Sequence, residues 1–316
     1  FFKKLTISAG LRLEYFKVDS IQTSYEIPFT NIKAPLRPVV KFGANYQISK
    51  GMFLRGSWGQ GYRFPTLSEL YYRSQSYGFS IFPNDTLRPE SGWNAELGYK
   101  MAYKIGEFVG YFDLAGFYTQ YNDMTDIKIG NVGPNLESGA KTINVDKAEI
   151  YGFEVSSLGQ GKVKKLEMNY LVGLTYVEPR NMLHNPNDSI QNPDPLDTVN
   201  LFVANVPKYL KYRSKVSIKA DIEFKYNKLL FGFSLIYNSH ILEIDRDPSV
   251  AFYGTERYRK EHPNGYLVAD SRFGYQFTKN LQLMINCKNI FNEEYTIRPA
   301  KIEAPRNFTF TVLARF

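Results

Sequence analysis

The C-terminal stretch, residues 307–316, alternates apolar and polar side chains up to the last residue. Because side chains of a β-strand point to opposite faces with period two, this strand has one apolar and one mostly polar face. A soluble domain rarely leaves such a strand at its edge, since a flat hydrophobic edge promotes aggregation. A closed barrel in lipid requires an apolar face and pairs every backbone group. The apolar positions are Phe308, Phe310, Val312, Ala314 and Phe316.

The same alternation recurs along the chain and predicts about twelve strands, most of them about 10–15 residues long. Soluble sheets use shorter strands, so these lengths favour tilted membrane crossings. Short turns alternate with long loops, as in bacterial outer-membrane barrels, whereas a large sandwich or propeller would show no such alternation. The pattern therefore predicts an all-β, transmembrane antiparallel up-and-down β-barrel. Predicted turns lie at 49–51, 104–106, 160–162, 225–228 and 278–280; predicted long loops lie at 19–37, 63–90, 179–206 and 240–264; predicted strands include 108–125 and 141–158.

Composition agrees with this fold and excludes others. Of the 316 residues, 43% are hydrophobic and 16% aromatic, while the mean hydropathy is −0.34. No apolar run approaches the ~20 residues that a membrane-spanning helix needs. Many aromatic residues with modest hydropathy are expected of strands that face lipid on one side only.

The charge and the cysteine content narrow the set of partners. The net charge of +8 is spread over strands and turns rather than gathered in one patch, which argues against a nucleic-acid partner. Lipopolysaccharide phosphates, together with outer-membrane lipid, or an anionic small-molecule ligand fit this charge better. The single cysteine, Cys287, allows neither an internal disulfide nor a cysteine-based metal site. No signal peptide is visible at Phe1–Lys4, so we interpret the sequence as a processed chain or a part of a longer one.

Three stretches carry a more specific pattern. The first, residues 58–67, contains Gly61-Tyr62-Arg63-Phe64-Pro65-Thr66. The second, residues 87–98, begins with Leu87-Arg88-Pro89-Glu90. The third, residues 289–295, begins with Asn289-Ile290-Phe291-Asn292 and is followed by the closing strand with its terminal Phe316. Together and in this order they resemble the TonB-dependent outer-membrane receptors, which actively import scarce nutrients into Gram-negative bacteria.

The resemblance implies a larger protein in the bacterial outer membrane. Family members have a 22-stranded barrel and an N-terminal plug that contacts TonB, so residues 1–316 are interpreted as the C-terminal portion of the barrel. The expected ligand is an iron-siderophore or a similar chelate. Phe316 is expected to be the assembly signal that the barrel-assembly machinery reads. Charged residues on the inner face are expected to line the lumen and contact the plug: Arg12, Glu14, Arg55, Glu96, Lys100, Glu223 and Arg272.

The loop 63–90 is the best candidate for ligand binding. It combines aromatic rings with cations among polar residues, a mixture that suits stacking and charge-assisted contacts with a polar, partly planar ligand. An equally open alternative is that the rings pack the loop against its neighbours. The candidate residues are Arg63, Tyr71, Tyr72, Arg73, Tyr77 and Phe82.

Haem-importing members of the family carry a histidine between the first two boxes. This sequence has none between Pro65 and Leu87, which argues against haem, although Tyr71 or Tyr77 could ligate iron.

Metal binding and catalysis have weaker support. Asp188, Asp194 and Asp197 lie in an oxygen-rich loop that could hold calcium, but Asn-Pro and Asp-Pro pairs are also ordinary turn formers. The three histidines, His184, His240 and His262, fall in predicted loops and are interpreted as solvated surface residues. No oxyanion device or activating acid accompanies Ser239 and His240. We therefore expect neither an enzyme nor a cofactor.

A self-contained twelve-strand barrel, acting as a passive porin, an adhesin or an envelope scaffold, is the alternative. It requires the last strand to pair with the first, residues 5–15, whereas the family fold places a strand outside this chain between them.

Overall fold

The structure, a computed structural model, describes residues 2–18, 32–76, 78–133, 137–183, 207–244, 254–298 and 301–315. Twelve long antiparallel strands pair in chain order, and two short strands join the same sheet beside them. The predicted all-β fold and the strand number are confirmed. The long strands are β1 (Leu5–Val18), β2 (Ile32–Ser49), β3 (Met52–Arg63), β6 (Glu90–Ile105), β7 (Phe108–Asn131), β8 (Ser138–Val163), β9 (Leu166–Asn181), β10 (Val216–Tyr226), β11 (Leu229–Asn238), β12 (Tyr266–Gln276), β13 (Leu281–Lys288) and β16 (Asn307–Ala314).

The connections carry the remaining elements. These are a 3-10 turn (Phe2–Lys4), α1 (Leu67–Tyr71), β4 (Ser74–Ser76), β5 (Phe79–Phe82), α2 (Thr255–Glu261), β14 (Thr296–Arg298) and β15 (Lys301–Ile302). Neither helix in the described ranges has the length and apolar character needed to cross a membrane.

Short turns and long connections alternate as predicted, but several boundaries were wrong. The predicted strands 108–125 and 141–158 are longer in the structure, as Phe108–Asn131 and Ser138–Val163. Strand β2 begins at Ile32, inside the predicted loop 19–37. Its pairing with β3 starts only at Lys41, so Pro38 lies where β2 pairs with β1 alone and a missing N–H is tolerated.

The predicted turn at 160–162 is also wrong. Those residues continue β8, and the turn follows at Lys164, which has a positive φ of 55°. The glycine that suggested a turn, Gly161, lies against the ring of Phe108, where a Cβ would collide. It therefore marks a close approach within a sheet and not a reversal.

The two faces of the sheet differ in chemistry. Leu97 is 63% exposed and Phe310 69% exposed on the apolar face, where lipid would cover them. On the opposite face, Arg55 contacts Asp113 through two hydrogen bonds of 2.9 Å and Glu96 through one of 3.0 Å.

A second charged cluster lies on the same polar face farther along the sheet. Arg272 contacts Asp221 through two bonds of 2.8 Å and Glu223 at 3.2 Å. The predicted inner-face pair Arg12 and Glu14 is also in contact, and Lys100 lies 3.8 Å from the ring centroid of Tyr111. The charges of the Arg55 and Arg272 clusters satisfy one another across strands, as expected of a polar lumen wall. Arg12 and Glu14 instead pair within β1, and Lys100 contacts an aromatic ring.

The first and last strands remain edges. Among the described residues, β1 pairs only with β2 and β16 only with β13. The β16–β1 pairing that a self-contained twelve-strand barrel requires is not observed in this part of the chain.

One hairpin extends past its neighbours and positions the candidate site. Pairing of β6 with β7 ends at Asn122, and pairing of β8 with β9 ends at Ala148, yet β7 and β8 continue to pair as far as Asn131 and Ser138. The described residues of this segment, 123–133 and 137–147, are called the hairpin extension. It lies at the same end of the sheet as the long connections between β3 and β6, β9 and β10, and β11 and β12.

Candidate functional site

The base of the loop between β3 and β6, residues 64–89, is closed by one arginine. Arg63 lies opposite Glu90 in the β3–β6 register, and its guanidinium donates to Glu90 at 3.3 Å and to Glu69 at 3.0 Å. The same group contacts Thr125 on the hairpin extension, and Thr125 donates to Glu90 at 3.0 Å. The first two sequence boxes therefore meet through the Arg63–Glu90 pair.

Helix α1 begins the 64–89 loop with a complete capping box. The Thr66 hydroxyl accepts a hydrogen bond from the backbone N–H of Glu69, and the Glu69 carboxylate accepts one from the N–H of Thr66 at 2.7 Å. Burial raises the pKa of Glu69, but these bonds and the Arg63 guanidinium outweigh it and hold the pKa below its ordinary value. Leu70 is 3% exposed, so the short helix is held by its core residue as well as by its cap.

The rest of the 64–89 loop is fastened to the hairpin extension. Strand β5 pairs in parallel with β8 at Gly139 to Lys141. Asn84 donates to the carbonyl of Thr142 at 2.8 Å, and the side chain of Asn144 bridges the backbone of Arg88. Because each of these contacts engages the backbone on at least one side, the loop becomes a fixed continuation of the sheet.

The structure separates the predicted ligand residues into different environments. Tyr72 is 51% exposed, while Phe82 is only 6% exposed and carries the guanidinium of Arg73 at 6.0 Å from its ring centroid. Burial raises the pKa of Tyr71, as does the nearby Asp85, so its phenol is protonated at neutral pH. The burial of Phe82 supports the alternative that the rings pack the loop against its neighbours, whereas Tyr72 and Arg73 lie at the loop surface.

Several predicted residues lie outside the described residues: Tyr77, the calcium candidates Asp188, Asp194 and Asp197, His184 and Phe316. In the described ranges, no group of three or more His, Cys, Asp or Glu side chains is placed to hold a metal ion.

A second site, which sequence reasoning missed, lies between the β11–β12 and β13–β16 connections. Its cavity of about 440 Å³ is here called the histidine cavity. The earlier interpretation of solvated histidines is wrong for His240 and His262, which are half-buried and close together. They are 22 residues apart, and only the β11–β12 pairing with α2 at its end brings them together. Lining residues include Ser239, His240, Arg257, Arg259, His262 and Tyr266.

Both imidazole rings of the histidine cavity are held by backbone carbonyls. Nδ1 of His240 lies 3.2 Å from the oxygen of His262, and Nδ1 of His262 lies 3.0 Å from the oxygen of Tyr258. The His262 ring also stacks on Tyr258 with 4.1 Å between centroids. Burial lowers the pKa of His240, and the Arg259 guanidinium lowers it further, so this ring is neutral at neutral pH.

One glycine permits the close return of the chain beside His240. Gly265 has a φ of +80°, and a Cβ there would collide with the backbone oxygen of Asn238. The position therefore requires glycine for two independent reasons, conformation and space.

The third sequence box shapes the connection that forms another wall of the histidine cavity, to which Glu294 contributes. The side chain of Asn289 is 2% exposed and exchanges hydrogen bonds with the backbone of Glu293, at 2.9 Å in both directions. Asn292 accepts from the N–H of Arg306 at 2.9 Å. Both asparagines have positive φ, which this residue type tolerates, so the motif has a structural role in shaping this connection.

Comparison with known proteins identifies the family. The model of the family described as "TonB dependent receptor-like, beta-barrel" matches residues 1–290. Hemoglobin-binding protein A of Haemophilus influenzae is 22% identical over 261 residues, covering 77% of this chain and 23% of that protein. The hemin receptor of Yersinia enterocolitica is 26% identical over 176 residues, covering 49% of this chain and 25% of that protein.

Solved structures show the same fold. The copper transporter OprC has a TM-score of 0.66 at 14% identity, covering 98% of this chain and 45% of that chain. The ferripyoverdine receptor of the outer membrane of Pseudomonas aeruginosa has a TM-score of 0.64 at 18% identity, covering 98% of this chain and 36% of that chain. The chain thus spans about a quarter of these curated relatives and less than half of these solved chains. It belongs to the TonB-dependent receptor-like β-barrel family, and its strands form part of a barrel of the bacterial outer membrane.

Proposed function

We propose that the protein imports an iron chelate across the outer membrane with energy supplied through TonB. The observation that carries this proposal is the 64–89 loop, which is fixed to the hairpin extension and presents Tyr72 and Arg73 at its surface. A fixed platform with an exposed ring and a cation suits capture of a planar, anionic chelate, because little ordering is needed on binding.

Binding alone cannot drive the ligand uphill. A ligand shifts a conformational equilibrium only by its differential affinity for the two states, so net import requires an outside source of energy. In this family that source is TonB, engaged through the N-terminal plug. We propose the same mechanism for the present protein: the loops bind the ligand, the plug opens with energy from TonB, and the ligand undergoes no catalytic step. The exposed apolar face supports contacts with outer-membrane lipid and lipopolysaccharide, and insertion would use the barrel-assembly machinery.

Haem is the second candidate ligand, because the relatives reported above are a hemoglobin-binding protein and a hemin receptor. The 64–89 loop offers no histidine, so iron ligation within it would fall to Tyr71 or Tyr77. The lack of a histidine in this loop favours a ferric siderophore over haem as its ligand.

Growth on a single iron source tests the function. A strain lacking this gene should lose growth on one chelate, either a ferric siderophore or haem, and regain it when the gene is restored. Growth should again fail when TonB is deleted. Uptake that persists without TonB would contradict the proposal and would favour a passive porin.

A further inference from the structure

The histidine cavity has a feature that the proposed function does not use. A backbone carbonyl can only accept a hydrogen bond, so the Nδ1 atoms of His240 and His262 must carry the protons in these contacts. In a neutral ring the other nitrogen, Nε2, then carries the lone pair. Both rings are thus set in the tautomer that ligates metals, with the second nitrogen donating to a backbone carbonyl as metal-bound histidines do.

Both lone pairs are accessible. Neither Nε2 atom has a hydrogen-bond partner among the described residues. In the same residues no buried side-chain nitrogen or oxygen lacks a partner, so these two atoms are not sealed inside the protein. Both rings line the cavity, whose volume of about 440 Å³ lies within the range of small-ligand pockets.

The donor set decides what kind of metal species fits. No third His, Cys, Asp or Glu completes a metal cluster in the described part of the chain. Glu261 and Glu294 also line the cavity but form no metal-holding group with the histidines, so the described residues would leave most coordination positions of a bare transition-metal ion unfilled. A metal that arrives with its own chelator needs only one or two further ligands, and imidazole suits iron, nickel and copper.

We propose that the histidine cavity binds a metal chelate with open coordination positions, through the Nε2 atoms of His240 and His262. A chelate whose metal is already fully coordinated has no position for either ring. The proposal deepens the proposed function, on which the relevance of a chelated metal rests, by adding a second binding site and restricting its ligand class. It is separate from the 64–89 loop.

Nickel complexes test this directly in the purified, untagged protein. Ni(II)-nitrilotriacetate leaves two positions open, whereas Ni(II)-EDTA leaves none. Isothermal titration should show binding of the first and not of the second. His240→Asn and His262→Asn each keep a donor near the Nδ1 position but remove the Nε2 ligand, and each should weaken binding roughly tenfold or more.

His184→Asn is the matched control, because His184 is the one remaining histidine of the sequence and lies outside the described residues. The affinity of this variant for Ni(II)-nitrilotriacetate should equal that of the natural protein. Heat-modifiable migration on gels verifies that each variant retains the folded barrel. Loss of binding in either cavity variant, with the control unchanged, supports the proposal. Unchanged affinity in both cavity variants, or equal binding of Ni(II)-EDTA, overturns it.

The nickel titration and the growth experiment fail independently. If iron uptake proves independent of TonB while the nickel complex still binds through the two histidines, the site stands and the proposed function does not. If the nickel complex does not bind but TonB-dependent growth persists, the function stands and this site is withdrawn.

Discussion

The 64–89 loop and the histidine cavity lie at the same end of the sheet but use their polar groups differently. In the loop, Arg63, Glu69 and Glu90 satisfy one another, and the backbone is tied to the hairpin extension. In the cavity, backbone carbonyls hold one nitrogen of each imidazole, so the other nitrogen stays available. Side chains that pair among themselves build a scaffold, whereas side chains held at one end only can bind a ligand.

The largest effect is expected from Gly265→Ala. The new methyl group would collide with the backbone of Asn238, and the positive φ of +80° adds about 1–2 kcal/mol of strain. We expect faster hydrogen exchange over the β11–β12 connection and loss of Ni(II)-nitrilotriacetate binding. Exchange in the 64–89 loop should not change.

Gly254→Ala is the matched control for that substitution. Gly254 has a similar φ of +94°, but no atom of the described residues lies within 4 Å of a Cβ built there. The Gly254→Ala variant should suffer only the backbone strain of a positive φ, and its hydrogen exchange should change less than that of Gly265→Ala. Equal effects of the two variants would show that the close approach beside His240 does not shape the cavity.

The next largest effect is expected from Arg63→Met, which leaves Glu69 and Glu90 without their shared cation. Loss of charge-assisted hydrogen bonds at this partly exposed site should cost about 1–3 kcal/mol of local stability. Hydrogen exchange in the 64–89 loop should rise, while the histidine cavity stays protected. Arg73→Met removes the same charge from the same loop but only a contact with Phe82 worth about 0.5–1 kcal/mol. If both variants loosen the loop equally, Arg63 is not its anchor.

These two regions also show what the sequence could reveal. Alternation predicts the strands because lipid and lumen impose opposite demands on neighbouring residues, and the Arg63 and Glu90 boxes mark the loop base. The histidine cavity carries no such signal, since His240 and His262 meet only through strand register and a short helix. The sequence around Gly161 wrongly predicted a turn, because glycine is favoured both in turns and where two segments of the chain pack closely, as Gly161 does against Phe108.

Thr66→Ala should have a smaller effect. It removes the hydroxyl of the capping box and should cost about 1 kcal/mol, local to α1. Thr66→Ser keeps the hydroxyl and should restore protection against exchange in residues 66–71. Equal loss of protection against exchange in Thr66→Ala and Thr66→Ser would mean that the hydroxyl cap is not what stabilises α1.

The smallest effect is expected from acid. Because the pKa of Glu69 is held below its ordinary value of 4.5, its contribution to loop stability is complete above that pH. It is lost as the pH falls through the lowered value, so the protection factors of the 64–89 loop, which are corrected for the intrinsic pH dependence of amide exchange, should fall only below about pH 4.5. Glu69→Gln should start less protected at neutral pH and show a weaker acid response. If the Glu69→Gln variant responds to acid as the natural protein does, another carboxylate causes the response.

Uptake of radiolabelled iron, supplied as the chelate that supports growth, is the decisive test of TonB-dependent import through this protein. Uptake should stop without TonB and should need a markedly higher chelate concentration when Tyr72 and Arg73 are both replaced by alanine. His184→Asn should take up iron like the natural protein. Uptake that continues without TonB, or that ignores the Tyr72 and Arg73 substitutions, would contradict the account.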